Sequence, residues 1–562
     1  MGGLGRGCAG PLVIAATVGR QKDSTPATTV RNSATVAGWG LVSRATGLLR
    51  VVVFGAVLGP TYVANAFQAA YFVPHLVFVL IAGPVLVMVL VPGVVRAVGT
   101  GDTARAREVL GRVAGWLLWV SAGVVVLLML LSPVVAWTLT LGIPDPAARE
   151  RGLWLSTLLI LLIAPQMLLY AVAHLGMAAQ QARGRFALAA GALAVENVVL
   201  ILVVALAGWY YGTGLDVEHV PVGLVIILGV GSTAAVALQA GLQLVGTARV
   251  GLLARPSMSW RSDPEARAVI RRLVHSLGVA AWPAAAMYVL VAVAGSVPGG
   301  VFVVQLSHTM LYSLSYVSAR AVSMAALPGL ARAAHRGDGV RFGSQWRRGL
   351  SYAVTASLPL LVLLGMNSLA AANILANGKL RHAALMGPLA TCLVVAAVAQ
   401  LVGGVADLGR QALFARLEDR VPRRASEIAF GVVVATAALA LLLPADGSRL
   451  VCLVVAMLAG ELAAAATVLT RLRRSLVPER FLELRALGGA LVATVVMVPV
   501  AGLMWWIHQV NGGDRFDDLA LITLGGAVAL GVYGLALRAM ASRRLLSNGR
   551  SVHLSPGARH DP

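Results

Sequence analysis

Residues 40–93 read GLVSRATGLLRVVVFGAVLGPTYVANAFQAAYFVPHLVFVLIAGPVLVMVLVPG. A helix that crosses a membrane needs about 20 consecutive, mostly apolar residues. With the residues just before it, this stretch contains two such runs, near 33–59 and 64–95. It therefore predicts two consecutive membrane helices, the first of which carries Arg44 and Arg50 within its apolar length.

The composition of the whole chain agrees with this reading. Of its 562 residues 58% are hydrophobic and 12% are charged, and the mean hydropathy is +0.83. Soluble domains contain roughly 45–50% apolar and about 25% charged residues, and disordered chains need low hydrophobicity with high charge. Both classes are excluded, and an all-α polytopic membrane protein is predicted.

Fourteen segments are predicted as membrane spans. They lie near 33–59, 64–95, 109–133, 153–176, 187–209, 221–246, 273–295, 300–330, 349–375, 382–406, 428–443, 450–470, 486–506 and 519–540. If the chain starts in the cytoplasm and alternates, most of its 45 basic residues fall in loops on the inner side, as the positive-inside rule requires. The alternation holds to the last span, which predicts 14 transmembrane helices with both termini cytoplasmic.

An internal repeat divides these spans. LVPGVVRAVGTGD at 90–102 aligns without gaps with ALPGLARAAHRGD at 326–338, six spans further along the chain. An offset of six spans predicts two parallel six-helix repeats around a central cavity, with two C-terminal helices added. The alternative is that Pro-Gly-x-x-Arg merely ends helices at the cytoplasmic face. The predicted parts are a cytoplasmic N-terminal tail (1–32), an N-terminal six-helix bundle (33–248), a basic cytoplasmic linker (249–272), a C-terminal six-helix bundle (273–470), a two-helix lipid-tail appendage (471–540) and a cytoplasmic C-terminal tail (541–562).

Several function classes find no support in the sequence. The net charge of +22 is spread over every inner loop instead of forming one patch, so topology explains it and nucleic-acid binding is not predicted. Cys8, Cys392 and Cys452 are far apart and have no metal-ligand spacing. The sequence contains no Ser-His-Asp set, phosphate-binding loop or HExxH motif. We therefore predict that the protein is not an enzyme and needs no metal or cofactor.

The candidate functional residues are the polar side chains at membrane depth, where a charge costs about 2.5–3.5 kcal/mol on insertion scales. Two guanidinium groups in one span, Arg44 and Arg50, suit an anionic group such as a phosphate. The alternative is that they bond to backbone carbonyls of a helix broken at Gly47. Glu196 is a candidate ion or proton site, although such a carboxylate is more often a hydrogen-bonding group between helices. The other embedded candidates are Asn65, His75, His308 and Arg320.

Three stretches resemble the MurJ/MviN family, whose superfamily also contains polysaccharide flippases and multidrug antiporters. SRATGLLRVVVFGAVLGPTYVANAFQAAYFVPHL at 43–76 resembles the first two helices of the family. GMAAQQARGRFALAAGALAVENVVLI at 176–201 is similar to the segment that joins helices 4 and 5, and QALFARLEDRVPRRAS at 411–426 is similar to the segment after helix 10.

This resemblance implies an alternating-access flippase of the plasma (inner) membrane. Its substrate would be a polyprenyl-pyrophosphate-linked cell-wall precursor, most simply lipid II, for peptidoglycan biosynthesis. The implied partners are this lipid-linked glycan, membrane lipids and cell-wall synthesis proteins. Spans 13 and 14 would provide a groove for the lipid tail. Arg44 and Arg50 match the two functional arginines of the family's helix 1 and would contact the pyrophosphate.

The chain also departs from the family pattern. Asn65 stands where many members carry Asp, and His75 is the first polar group after a proline that basic residues usually follow. The arginine of helix 8 has no direct match, with His308 nearest and Arg320 further along. The predicted cavity is therefore less cationic than is usual in the family. A flippase for another lipid-linked oligosaccharide, a cation-coupled small-molecule antiporter that uses Glu196, and a scaffold without transport activity stay open as alternatives.

Overall fold

The computed structural model describes residues 26–81, 102–376, 384–476, 481–511 and 514–550. Within these ranges every element of regular secondary structure is a helix, as the sequence predicts. Residues 90–101, which form nearly all of the first repeat copy, lie outside the described residues, and so do most of the two predicted tails.

The helices follow one another with short connections. The N-terminal half contains α1 (Pro26–Leu58), α2 (Tyr62–Ile81), α3 (Thr103–Leu130), α4 (Ser132–Thr140), α5 (Pro146–Ile163), α6 (Gln166–Ala182), α7 (Ala187–Tyr211) and α8 (Val222–Arg249). The C-terminal half contains α9 (Pro264–Ala294), α10 (Gly300–Val317), α11 (Ala319–His335), α12 (Gly339–Met366), α13 (Ser368–Leu375), α14 (Met386–Ala415), α15 (Arg420–Ala440) and α16 (Gly447–Ser475). The appendage contains α17 (Leu484–Val510), α18 (Arg515–Ala520) and α19 (Gly526–Arg550), and it packs on α12 and α13.

Each predicted span overlaps at least one described helix. Eleven helical segments among the described residues are long and apolar enough to cross a membrane. Large apolar side chains such as Trp209 and Leu442 are 82% exposed, which fits a surface that lipid would cover. The structure thus supports a multi-span membrane protein, while the number of 14 and the parallel repeat stay predictions.

Predicted spans 4, 8 and 9 are each divided between two helices in the structure, a detail that the sequence prediction did not include. Pro165, which has no backbone N–H, stands where α5 gives way to α6. Ser318 separates α10 from α11 with φ −111° and ψ −103°, and its hydroxyl donates to a backbone carbonyl of the preceding turn. Asn367 separates α12 from α13, and its amide donates to a backbone carbonyl of the preceding turn. In the last two cases a side chain takes up a carbonyl at the helix end.

The two halves share a hydrophobic core at one end of the molecule and have separate cores at the other. Phe67 of α2 and Phe302 of α10 belong to the shared core, which lies near the turns at 59–61 and 295–299. Leu117 belongs to a core of the N-terminal half and the start of α9, and Trp346 to one of the C-terminal half. The sequence predicts that the shared end faces outside, so we call it the outer end and the opposite end the inner end.

At the outer end the two halves are joined by polar contacts as well. The Asn65 amide donates to the carbonyl oxygens of Gly295 and Val297 at 3.2 and 2.7 Å, and its carbonyl accepts from the Val301 N–H at 3.1 Å. We call these three hydrogen bonds, which connect α2 with the turn between α9 and α10, the outer contact. They satisfy both the NH2 group and the carbonyl oxygen of the buried Asn65 side chain.

Arg449 stabilises the same turn from the other side. It lies at the start of α16 and is buried, and it donates to the Ser296 hydroxyl at 2.7 Å and to the Leu443 carbonyl at 2.5 Å. The Tyr62 hydroxyl donates to the Ser296 carbonyl at 3.5 Å. The turn that carries the outer contact is therefore held by groups from both halves.

At the inner end the linker between the halves lies across α3. The Ser257 N–H donates to the carbonyl of Gly111 at 2.9 Å. A Cβ atom at Gly115, one turn further along α3, would overlap the Ser257 carbonyl. The absence of side chains at these two glycines thus lets the linker backbone lie directly on the helix.

Asp263 fixes the end of this linker. Its side chain caps α9, accepting from the backbone N–H groups of Glu265 and Ala266 at 2.8 and 3.3 Å, and it pairs with Arg105 at 3.0 Å and with Arg112. Burial alone would raise the pKa of Asp263, but these hydrogen bonds and the arginines outweigh it and hold the pKa below its usual value. The linker is therefore attached to the N-terminal half by an ionised carboxylate.

Candidate functional site

Arg44 and Arg50 lie on one unbroken helix. α1 continues through Gly47 without interruption, so the alternative in which a break at Gly47 frees carbonyls for the arginines was wrong. Each arginine instead has its own set of partners from other helices. Arg44 is exposed and contacts α10, whereas Arg50 is half-buried and contacts α2.

Arg50 belongs to a chain of hydrogen bonds that crosses three helices. Its Nη1 donates to the Tyr71 hydroxyl at 3.3 Å, and this hydroxyl donates to Oε1 of Glu196 on α7 at 2.7 Å. The guanidinium also lies 5.4 Å from the centre of the Tyr71 ring. Glu196 is 5% exposed, so the chain ends on a buried carboxylate. Glu196 therefore makes a contact between helices, and its predicted role as an ion or proton site stays a prediction.

The residue next to Glu196 fixes the other part of α1. The Asn197 amide donates to the Ser43 carbonyl and to the Thr46 hydroxyl, both at 3.2 Å. These two groups flank Arg44 in the sequence. The adjacent Glu196 and Asn197 of α7 thus define the position of α1 around both arginines.

Arg44 extends to the opposite half of the molecule. Its guanidinium carbon lies 4.1 Å from the centre of the Tyr316 ring at the end of α10. The guanidinium carbon of Arg320, at the start of α11, lies 5.9 Å from the same ring centre. Tyr316 is therefore shared by one arginine from each half, a cation–π arrangement that keeps two positive charges near each other. All three side chains are exposed, so this cationic surface can be reached by a ligand.

The other candidates lie elsewhere. Asn65 uses its amide in the outer contact, and His75 packs edge-on against Tyr170 inside the N-terminal half, with ring centres 5.4 Å apart. His308 packs at a tilt against Tyr312, with ring centres 4.6 Å apart. The structure thus brings Arg44 and Arg320 together around one aromatic ring, places Arg50 on the same helix as Arg44, and separates the remaining three. Their predicted contact with substrate stays a prediction.

His308 lines a cavity of about 100 Å³ inside the C-terminal half. Trp282 forms part of its apolar wall, and an ion pair between Arg410 and Glu461, with 3.5 Å between Nη2 and Oε2, forms part of its polar wall. Glu461 therefore has a cationic partner. This cavity belongs to one half and is distinct from the surface around Tyr316.

Sequence reasoning missed Tyr71 and Tyr316, the two aromatic residues on which the arginines depend. Tyr316 lies four residues before Arg320, and this spacing could have indicated a contact. Tyr71 gives no such signal, because its partners Arg50 and Glu196 are far from it in the sequence.

Comparisons with known proteins agree with this architecture. A solved structure titled "Lipid II flippase MurJ, inward closed conformation" superposes with a TM-score of 0.67 at 14% identity, covering 91% of this chain and 99% of that one. An inward-facing multidrug resistance MATE family transporter gives a TM-score of 0.59 at 15% identity, covering 78% of this chain and 98% of that one. At such low identity these likenesses establish the fold.

The sequence comparisons identify the family. A relative from Vibrio cholerae serotype O1, named "Probable lipid II flippase MurJ", is 26% identical over 240 residues, which is 41% of this chain and 42% of the relative. The aligned region thus spans less than half of that curated relative. The sequence model of the family described as "Lipid II flippase MurJ" matches residues 54–514, from the end of α1 to the start of α18. Because this match covers most of the chain and both halves of the fold, the protein belongs to the MurJ family.

Proposed function

We propose that this protein is an alternating-access flippase that moves a polyprenyl-pyrophosphate-linked cell-wall precursor, lipid II, across the plasma membrane for peptidoglycan biosynthesis. The observation that carries the proposal is the cationic surface between the halves, in which Arg44 and Arg320 share the Tyr316 ring. A family match over residues 54–514 supports the choice of substrate.

The role of the arginines follows from their chemistry. A guanidinium group is planar, stays charged and donates paired hydrogen bonds to phosphate oxygens. Arg44 and Arg320 come from opposite halves, so a pyrophosphate bound between them would be held by both. The outer contact closes the opposite end, so the headgroup would enter from the inner end. Movement of the halves would then have to break the outer contact to release the substrate outside.

The proposal includes the predicted topology. Fourteen transmembrane helices in two parallel repeats, with both termini in the cytoplasm, would place the arginines within the membrane and the basic loops inside. Helices α17 and α19 would form the groove for the polyprenyl tail. The boundaries of the tails, the two bundles, the linker and the appendage would be those that the sequence predicts. Membrane lipids and cell-wall synthesis proteins are the partners expected beside the precursor. We propose no enzymatic activity.

The test is depletion of the protein in its host, with quantification of lipid-linked precursors in the membrane. We expect lipid II to accumulate, the wild-type chain to relieve this accumulation, and Arg44→Ala to fail although it reaches the membrane. Loss of the contacts of one guanidinium group costs about 1.5–3 kcal/mol, or roughly 10- to 150-fold in affinity. Arg336→Ala is the matched control, because Arg336 is an exposed arginine at the end of α11.

Each other outcome has a definite meaning. Accumulation of a different lipid-linked glycan would contradict lipid II as substrate and favour the alternative flippase. If no precursor accumulates in a host without a second flippase, flipping itself is contradicted, and the antiporter becomes the leading explanation. Full activity of a variant lacking both Arg44 and Arg50 would contradict the assigned role of the arginines.

A further inference from the structure

We infer that Tyr71 and Glu196 are positioning residues that keep Arg50 free to bind the pyrophosphate group. This inference rests on the proposed function and adds a residue pair to the same site. Neither residue would touch the substrate. Their task would be to hold the guanidinium group near a buried negative charge without letting the two groups form a direct ion pair.

The geometry separates the two charges by one hydroxyl group. Arg50 donates to the Tyr71 oxygen at 3.3 Å, and the Tyr71 hydroxyl donates to Glu196 at 2.7 Å. Among the described residues Arg50 has no direct ion pair with Glu196, and its only hydrogen bond is the one to Tyr71. The remaining guanidinium N–H groups are therefore available to a ligand.

The energetics explain why a spacer matters. Burying a carboxylate costs free energy unless a positive charge or a hydrogen-bond donor compensates it. For the buried Glu196 the donor is the Tyr71 hydroxyl, and the positive charge is the Arg50 guanidinium group beyond that hydroxyl. Attraction between opposite charges increases as they approach, and it is strongest where water is excluded. Without the hydroxyl, the guanidinium would move toward the carboxylate and form the paired contact that carboxylates and phosphates both favour. Arg50 would then be occupied by Glu196.

Tyr71→Phe tests this directly, because it removes the hydroxyl and keeps the ring. That ring packs against Phe67, with centres 6.3 Å apart, and lies beside the Arg50 guanidinium, so the packing is preserved. We expect Tyr71→Phe to bind a polyprenyl pyrophosphate about tenfold more weakly, the effect of losing roughly one charge-assisted hydrogen bond. Glu196→Gln in the same chain removes the competing charge, so the double variant should regain most of the lost affinity.

The experiment uses the full-length protein in detergent with farnesyl pyrophosphate as the probe, and it measures the dissociation constant. Tyr288→Phe is the matched control, because the hydroxyl of this half-buried tyrosine on α9 shares a hydrogen bond with the Thr138 hydroxyl of α4 and has no assigned part in substrate binding. Its affinity should equal that of the wild type. Rescue by Glu196→Gln distinguishes positioning from a general loss of structure, because a second substitution would not repair a misfolded chain.

The outcomes separate the inference from the function on which it rests. If the wild type binds the probe and Arg44→Ala weakens binding, while Tyr71→Phe binds as the wild type does, the inference is overturned and the proposed function stands. Weak binding by Tyr71→Phe that Glu196→Gln does not restore also overturns it. A wild type that does not bind farnesyl pyrophosphate contradicts the proposed pyrophosphate site and the inference with it.

Discussion

The outer contact should decide how often the two halves separate at the outer end, and Asn65→Ala removes it. The substitution deletes three buried hydrogen bonds, to Gly295, Val297 and Val301. Each such bond contributes a net of about 0.5–1.5 kcal/mol, so the closed arrangement should lose about 1.5–4.5 kcal/mol relative to an open one. That difference corresponds to about a 10- to 1,600-fold increase in the ratio of open to closed molecules.

A reporter cysteine measures this population. Ala69, which is 2% exposed, lines a small cavity beside Asn65 at the outer end. In a chain whose three native cysteines are replaced, Ala69→Cys should react slowly with a membrane-impermeant maleimide added from outside. Adding Asn65→Ala should accelerate labelling at least tenfold, because a buried thiol reacts only from the open population when opening is fast relative to labelling.

Asn65→Asp sharpens the same test. An ionised carboxylate donates no hydrogen bond and would face the carbonyl oxygens of Gly295 and Val297, so labelling should be faster than with Asn65→Ala. Lowering the pH protonates the introduced carboxyl group, which can then donate to one carbonyl, so labelling should slow again. The reporter chain that keeps Asn65 corrects for protonation of the reporter thiol, which slows maleimide labelling in every variant as the pH falls, so the ratio of the two labelling rates carries the effect of the introduced carboxyl group.

Asn367→Ala is the control for this series. Asn367 is also buried and donates to the Ala501 carbonyl at 3.5 Å, which joins the C-terminal half to the appendage rather than to the N-terminal half. Labelling of the reporter should not change in that variant. If Asn65→Ala and Asn367→Ala accelerate labelling equally, or if neither does, the outer contact does not control opening and the reasoning is refuted.

Three further predictions concern the attachments at the two ends. Arg449→Ala should lower the melting temperature of the purified protein. Arg449→Lys should lower it less, because a lysine ammonium group can keep one of the hydrogen bonds, to the Ser296 hydroxyl or to the Leu443 carbonyl. Equal decreases in melting temperature would contradict this. Gly115→Ala should displace the linker and speed tryptic cleavage within it, whereas Gly123→Ala on the same helix, where a Cβ meets open space, should not. Because the pKa of Asp263 is lowered in the folded chain, its contribution to linker docking should persist at neutral pH and disappear as the pH falls through that lowered pKa; Asp263→Asn should remove this dependence when linker cleavage is followed with pepsin, which is active in that acidic range.

The sequence was sufficient to predict the helical class and apolar segments that each overlap a described helix, because both depend on local apolar length. It was insufficient where a break in a helix depends on contacts with other helices. Ser318 lies in an apolar run that reads as one span. Where α10 ends, its hydroxyl lies within hydrogen-bond distance of the Leu314 carbonyl of the preceding turn and of Gln400 and Ser357 on neighbouring helices. Pro165 is different, since a proline without an N–H is visible in the sequence itself.

The same distinction applies to the candidate site. Placing a polar side chain within the membrane costs so much free energy that we expect it to have a partner. The sequence does not identify that partner. Asn65 was predicted as an embedded candidate for substrate binding, and the structure shows its amide bonded to a backbone turn 230 residues away in the chain. Glu196 was assigned two alternatives, and its contact with Tyr71 supports the one in which it joins helices. Arg44 and Arg50 were singled out correctly as a pair on one helix, yet their aromatic partners came only from the structure.

The different partners of the two α1 arginines have a consequence for transport. Arg50 contacts only its own half among the described residues, through Tyr71 and Glu196, so it should keep the same surroundings when the halves move. Arg44 contacts Tyr316 of the other half, and this contact must change when the halves rearrange. A pyrophosphate bound by both arginines would therefore have one ligand whose surroundings stay the same, Arg50, and one whose surroundings change, Arg44. Because a ligand can shift a conformational equilibrium only by binding two states unequally, Arg44 rather than Arg50 should connect substrate binding to movement of the halves.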